Sequence, residues 1–139
     1  MQVKKFLEKI GNLNSYAVEA GIVLTNIEKE KAEGELVITK DNMNIVGSVH
    51  GAVMFNLCDT LSNYAAYTTG NFVTSVSGDI NFLNAAMDTT KLFCRAEVVK
   101  SGGKIIVCRA EVYDDNDTII AISTQTYARL KDKLDLDFD

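Results

Sequence analysis

Apolar residues recur at two different periods along this chain, and the change of period marks its elements. From about residue 51 to residue 69, Val53, Leu57, Leu61, Tyr64 and Ala65 return at intervals of three and four, the spacing that stacks side chains on one side of a helix. Met54, Cys58 and Ala66 widen the apolar surface beyond a single stripe, so the predicted helix is largely buried. Gly70 follows where a left-handed C-terminal cap is usual. Elsewhere the period is two. Strands are predicted over 21–27 and 31–39, with Glu28, Lys29 and Glu30 at the turn, and over 72–83, 91–99, 104–113 and 118–130. In the last of these Ile120, Ile122, Thr124, Thr126, Ala128 and Leu130 share one face, while Ser123, Gln125, Tyr127 and Arg129 share the other.

Turn chemistry at Ser101-Gly102-Gly103 and at Asp114-Asp115-Asn116-Asp117 links the later strands closely, which favours an antiparallel meander. The order is two strands, one long helix, then four strands, an α+β architecture in which one helix covers one sheet. Residues 1–13 mix Lys4, Lys5, Glu8 and Lys9 with apolar positions and are predicted as a short amphipathic helix, not a signal peptide or membrane span. Residues 131–139 alternate charges with isolated apolar residues and are expected to fray. A single domain over 1–139 accounts for the length. One helix leaves part of a sheet face and two edge strands uncovered, so association between copies is expected.

Composition narrows the chemistry. The chain is 47% hydrophobic and 24% charged, a globular composition. Its 14 basic and 19 acidic residues give a net charge of -5, and no run of Lys or Arg could neutralise a line of phosphates; nucleic acid is not an expected partner. Cys58, Cys94 and Cys108 have no metal-ligand spacing, and their odd number argues against a disulfide framework. A cytoplasmic location is expected. With His50 the single histidine, no metal and no cofactor are expected either.

Polar residues that could carry chemistry gather in Asn44-Ile45-Val46-Gly47-Ser48-Val49-His50-Gly51-Ala52, at Asp59 on the helix, and at Ser75, Ser77 and Asp79 on the following strand. On Asn44, Gly47, His50, Gly51 and Asp59 the sequence resembles the hot-dog-fold thioesterases, in particular the PaaI-like branch with its N-x-x-G-x-x-H-G-G loop and helical Asp. The resemblance runs over roughly residues 12–130 and includes Asn81-Phe82-Leu83 and the Gly103-Lys104 turn. Two backbone features depart from it: Ala52 replaces a second glycine, and the chain has no proline, so the one usual after Asn81-Phe82-Leu83 is missing.

The resemblance implies a hot-dog fold, a sheet wrapped around one long central helix, and hydrolysis of an acyl- or aryl-acyl-coenzyme A, with coenzyme A present only as part of the substrate. It assigns the Gly51 N–H to an oxyanion hole, where a side-chain-free helix start suits close approach of a carbonyl, and Asp59 to activating water or to attacking directly. An Asp between Cys58 and Leu61 on a buried helix is costly to keep without a use. Asn44 would bind the carbonyl or the water, or else close its own loop. His50 would shape the loop or contact the carbonyl, or be merely structural. Ser77 would orient the water, or be a surface serine. Lys100 and Lys104 are candidates for the coenzyme A phosphates, and Phe55, Tyr64 and Tyr67 for the acyl pocket, although exposed lysines that contact nothing and core aromatics are the commoner explanations.

Gly51 and Asp59 stand eight residues apart on one helix, about 12 Å at the helical rise. Both cannot touch one carbon from the same chain, so the spacing predicts a homodimer with composite sites; the family resemblance adds a dimer of dimers. A non-catalytic acyl-coenzyme A binder on the same fold is the alternative. A hydratase or dehydratase acting on enoyl thioesters is a third reading, for which Asp41 with His50 is a poor match.

Overall fold

The computed structural model describes residues 2–136. Helix α1 (Gln2–Lys9), a 3-10 turn (Gly11–Leu13) and helix α2 (Ser15–Glu19) precede strands β1 (Ile22–Glu28) and β2 (Lys31–Val37). After the loop comes helix α3 (Gly51–Tyr67), then β3 (Asn71–Phe82), β4 (Lys91–Ser101), β5 (Ile105–Tyr113) and β6 (Ile119–Lys133). The strands form one six-stranded sheet in the order β1-β2-β4-β5-β6-β3, and every neighbouring pair is antiparallel. With α3 packed along its inner side, this is the hot-dog fold that the sequence predicts.

Helix α3 is apolar nearly all round, so most of it is inside: Leu57, Cys58, Leu61, Ala65 and Ala66 are fully enclosed. Leu92, Cys94 and Ala96 of β4 and Ile106, Cys108, Ala110 and Val112 of β5 meet it from the sheet. Their alternate neighbours point outward, where Lys91 pairs with Glu35, Arg95 with Glu33, and Arg109 with Glu111. Such exposed pairs contribute little each; the helix burial supplies the larger share of the stabilisation.

Strand β6 shows what periodicity alone leaves open. The face turned inward is Ala121, Ser123, Gln125 and Tyr127, all buried, so the more polar of its two faces packs under the helix. Ile120 is also fully enclosed, out of phase with its alternation partners, because the β5–β6 register shifts between Val112 and Tyr113.

Both ends depart from the expectations. The N-terminal helix stops at Lys9, not at residue 13, since the chain packs tightly at Gly11, where a Cβ would lie 2.5 Å from Leu7 Cδ2. A second short helix, α2, follows, its Asn14 cap accepting the Ala17 N–H at 3.2 Å. At the other end, residues 131–136 do not fray. β6 runs on to Lys133, the Leu134 N–H donates to Gly70 O at 2.9 Å, and Leu136 joins the main core. Their partners lie far away in sequence, including Lys9, which donates to Asp135 O at 2.6 Å. Residues 137–139 of that segment lie outside the described residues.

Gly34 on β2 lets α3 sit close to the sheet. A Cβ there would stand 2.8 Å from Val23 O and 3.0 Å from Leu61 Cδ1. Gly34→Ala is therefore expected to destabilise the protein by about 1–3 kcal/mol through overpacking, seen as a lower urea midpoint at unchanged slope.

Candidate functional site

The loop before α3 closes on Asn44. Its Oδ1 accepts the N–H groups of Val46 at 3.0 Å and Ser48 at 3.1 Å, and its Nδ2 donates to Ser48 Oγ at 2.8 Å. Gly47 takes φ +87, the left-handed conformation the turn requires. Of its two sequence readings, Asn44 adopts loop closure here. The loop delivers His50 as the helix N-cap, where Nδ1 accepts the Ala52 N–H at 3.1 Å. A neutral imidazole accepting at Nδ1 holds its proton on Nε2. The Val53 N–H reaches His50 O at 3.0 Å.

These bonds engage two of the first helical donors and leave the Gly51 N–H without an acceptor among the described residues. A pocket of about 400 Å³ opens over it, lined among others by Asn44, Ser48, Met54, Phe82 and Leu83. A Cβ at 51 would approach Phe82 Cζ to 2.8 Å, so a side chain there would have to displace the exposed Phe82 ring beside the amide.

Asp59 lies two turns further along and does not line that pocket. It is half-buried, and its Oδ1 accepts the Tyr127 O–H at 2.9 Å; the same hydroxyl is 3.0 Å from Asp59 O. Burial, then the Asp59 charge, raises the Tyr127 pKa, so the hydroxyl stays a donor. Burial and Asp59 act on Tyr67 in the same order and direction. Beside Tyr127, Gln125 lies across Gly78, donating to Ser123 Oγ at 2.8 Å, and Ser123 donates to Asp79 O at 2.7 Å. Tyr127, Ser123 and Gln125 escaped the sequence reading. Their signal was present, three polar residues at alternate positions, but it marks the buried face only once the neighbours of β6 are known.

The remaining candidates separate. Ser77 is exposed on the edge strand β3 and pairs with Thr126, past an irregularity that follows the Ser75–Tyr127 pair. Tyr64 is a core residue, covered edge-on by Phe6 at 5.0 Å and bonded by Asn14 Nδ2 at 3.2 Å; it does not form an open pocket wall. Tyr67 packs against Phe72 at 5.6 Å, and Phe55 is half-buried. Lys104 lines an open cleft of about 660 Å³ with Lys131 and Lys133, whereas Lys100, paired with Val107 on β4, does not line it. Arg129 builds the cleft, donating to Gly102 O, Ser101 Oγ, Thr69 Oγ1 and Asn71 Oδ1.

All three cysteines are buried as free thiols. Contact with Cys58, then burial, raises Cys94 well above its ordinary range, and burial pushes Cys108 up to about 12; neither is a thiolate nucleophile at neutral pH. Among the described residues no group of three His, Cys, Asp or Glu side chains could hold a metal, and no helix is long and apolar enough to cross a membrane.

The cap assigned to His50 is testable by stability alone. His50→Ala is expected to lose about 0.5–2 kcal/mol, and His50→Asn, which can accept the same N–H, only a small part of it, both measured by urea unfolding.

Known proteins share this fold. The thioesterase superfamily model matches residues 46–121, more than half of the chain. A protein of Archaeoglobus fulgidus provisionally named an esterase is 27% identical over 101 residues, covering 73% of this chain; the match spans 66% of that relative's length. Among solved structures, the PaaI protein of the E. coli phenylacetic acid degradation operon superposes with a TM-score of 0.88 at 20% identity, covering 96% of this chain and 97% of its own. A Streptococcus mutans protein solved bound to acetyl-CoA superposes with a TM-score of 0.77 at 21% identity, covering 81% of this chain and 91% of its own.

Proposed function

The chain belongs to the thioesterase superfamily, and on that premise we propose that it hydrolyses the thioester of an acyl-coenzyme A. One observation carries the reading: a single helix presents an unengaged amide at its start, under an open pocket, and a hydrogen-bonded carboxylate two turns on. These are the two groups that the reaction needs. Water, deprotonated by Asp59, adds to the thioester carbon. The carbonyl oxygen takes up negative charge against the Gly51 N–H. Collapse of the tetrahedral intermediate breaks the C–S bond, and the proton held by Asp59 passes to the departing thiolate, giving a carboxylic acid and free coenzyme A. Asn44 and His50 serve by building the loop that aims the amide, and Ser77 holds the water.

Eight residues of helix still separate amide from carboxylate, so the reading needs a second copy. Strand β3 is an edge of the sheet, twelve residues long, and its residues 74–79 are exposed, with Val76 at 57%. An open edge of that length is a template for strand pairing. Phe82, Leu83 and Met87 extend the exposed apolar surface near the Gly51 pocket. A two-fold axis at β3 would bring each helix to its partner and make two composite sites. The cleft of Lys104, Lys131 and Lys133 offers the substrate's phosphates opposite charge, and the S. mutans neighbour, described as bound to acetyl-CoA, is in keeping with such a ligand.

Asp59→Asn is expected to lower kcat by roughly 10²- to 10⁴-fold in a thiol-release assay with acyl-coenzyme A; unchanged turnover rejects the mechanism, and binding without turnover by the unaltered protein marks a binder. Mixing Asp59→Asn with Gly51→Val subunits, each inactive alone, should restore up to about a quarter of wild-type activity through one intact site per mixed dimer. No recovery after exchange of subunits would reject the composite site.

Replacing Lys104 and Lys131 together by Ala is expected to raise KM for acyl-coenzyme A by roughly 3- to 10-fold. The same acyl group on N-acetylcysteamine, which has no phosphates, should be hydrolysed as before. An equal effect on both substrates would remove the cleft from the reading.

A further inference from the structure

Asp59 has one oxygen engaged and one open. Oδ1 accepts the Tyr127 O–H at 2.9 Å, and among the described residues no protein donor reaches Oδ2. Tyr127 is the largest fully enclosed side chain among the described residues, held on β6 by pairing with Ser75 of β3 and Ile106 of β5. Its ring packs with Ala66, Val73, Ile106 and Cys108 in a small apolar cluster of its own. A phenol so enclosed has no freedom to swing away. The hydroxyl also lies 3.0 Å from Asp59 O, so it is held against this residue by the backbone as well as by the carboxylate.

We infer that Tyr127 is a positioning residue, which fixes the Asp59 carboxylate with Oδ1 held and Oδ2 presented to the water that attacks the thioester. The inference rests on the reading of Asp59 as the group that activates water. A carboxylate on a helix surface otherwise samples several rotamers, and a base must be held within hydrogen-bond reach of the proton it takes. The anchored oxygen removes that freedom. The titratable groups around the pair are Tyr67 and Cys58 on α3 and Cys108 on β5. Burial raises both phenols and Cys108, so none of these three brings a charge beside the carboxylate at neutral pH.

The test is Tyr127→Phe, which keeps the ring and deletes the donor. Expected are a kcat lower by roughly 10- to 100-fold, the worth of a hydrogen bond to a charged group, with KM changed less than twofold. In the Asp59→Asn background the same change should have no further effect on residual turnover. An unchanged kcat, a loss carried in KM, or losses that add in the double variant would overturn the inference while leaving Asp59 as the base. Full activity of Asp59→Asn itself would instead overturn the reading beneath it. If Tyr127→Phe fails to fold, 3-fluorotyrosine placed at 127, a stronger donor of nearly the same size, should change kcat at unchanged KM in the otherwise unaltered protein and have no effect in the Asp59→Asn background; an equal effect in both counts against the role.

Discussion

A helix apolar on almost every side has to be wrapped, and that requirement organises this molecule. Helix α3 cannot lie on the surface of a sheet as an amphipathic helix does. The sheet takes its inner flank, α1 covers its far end through Phe6 and Tyr64, and the chain after β6 returns to the core with Leu136. What the wrapping leaves uncovered is the beginning of the helix and the side facing edge strand β3. The two groups proposed for the reaction stand at those two openings.

The sheet answers the helix residue by residue. Where α3 is purely apolar, β4 and β5 present Leu92, Ala96, Ala110 and Val112. Where α3 carries Asp59, β6 presents a phenol. Where β3 has no side chain, at Gly78, β6 lays a glutamine amide across the space. Polar groups inside a protein are tolerable only when they find partners: Tyr127 finds Asp59, while Gln125 and Ser123 bond to each other and to Asp79 O.

The sequence disclosed the fold well because its elements are strongly periodic. Leu57, Leu61 and Ala65 on the helix, and the alternation in β4 and β5, follow from local spacing. The loop-to-helix junction was equally legible, as Asn44, Gly47, His50 and Gly51 act within a few residues of one another. Harder to see was anything set by distant partners. Residues 131–136 look unpartnered until Gly70, Lys9 and the core are placed beside them. Tyr64 resembles a pocket wall until Phe6 covers it. Tyr127 gains its meaning only from Asp59, 68 residues earlier, because alternation reveals two faces of a strand without revealing which is inside.

The thiols have a consequence of a different kind. Cys58, Cys94 and Cys108 are sealed in the interior, and the reactive anion is strongly disfavoured at two of them. While the native packing holds, alkylating and disulfide reagents have nothing to titrate, and sulfur modification becomes a reporter of opening. Cys58 of α3 meets Cys94 of β4, while Cys108 of β5 lies against Ser62 further along the helix, so the order in which these two places are unmasked would trace the route by which the helix leaves its wrapping.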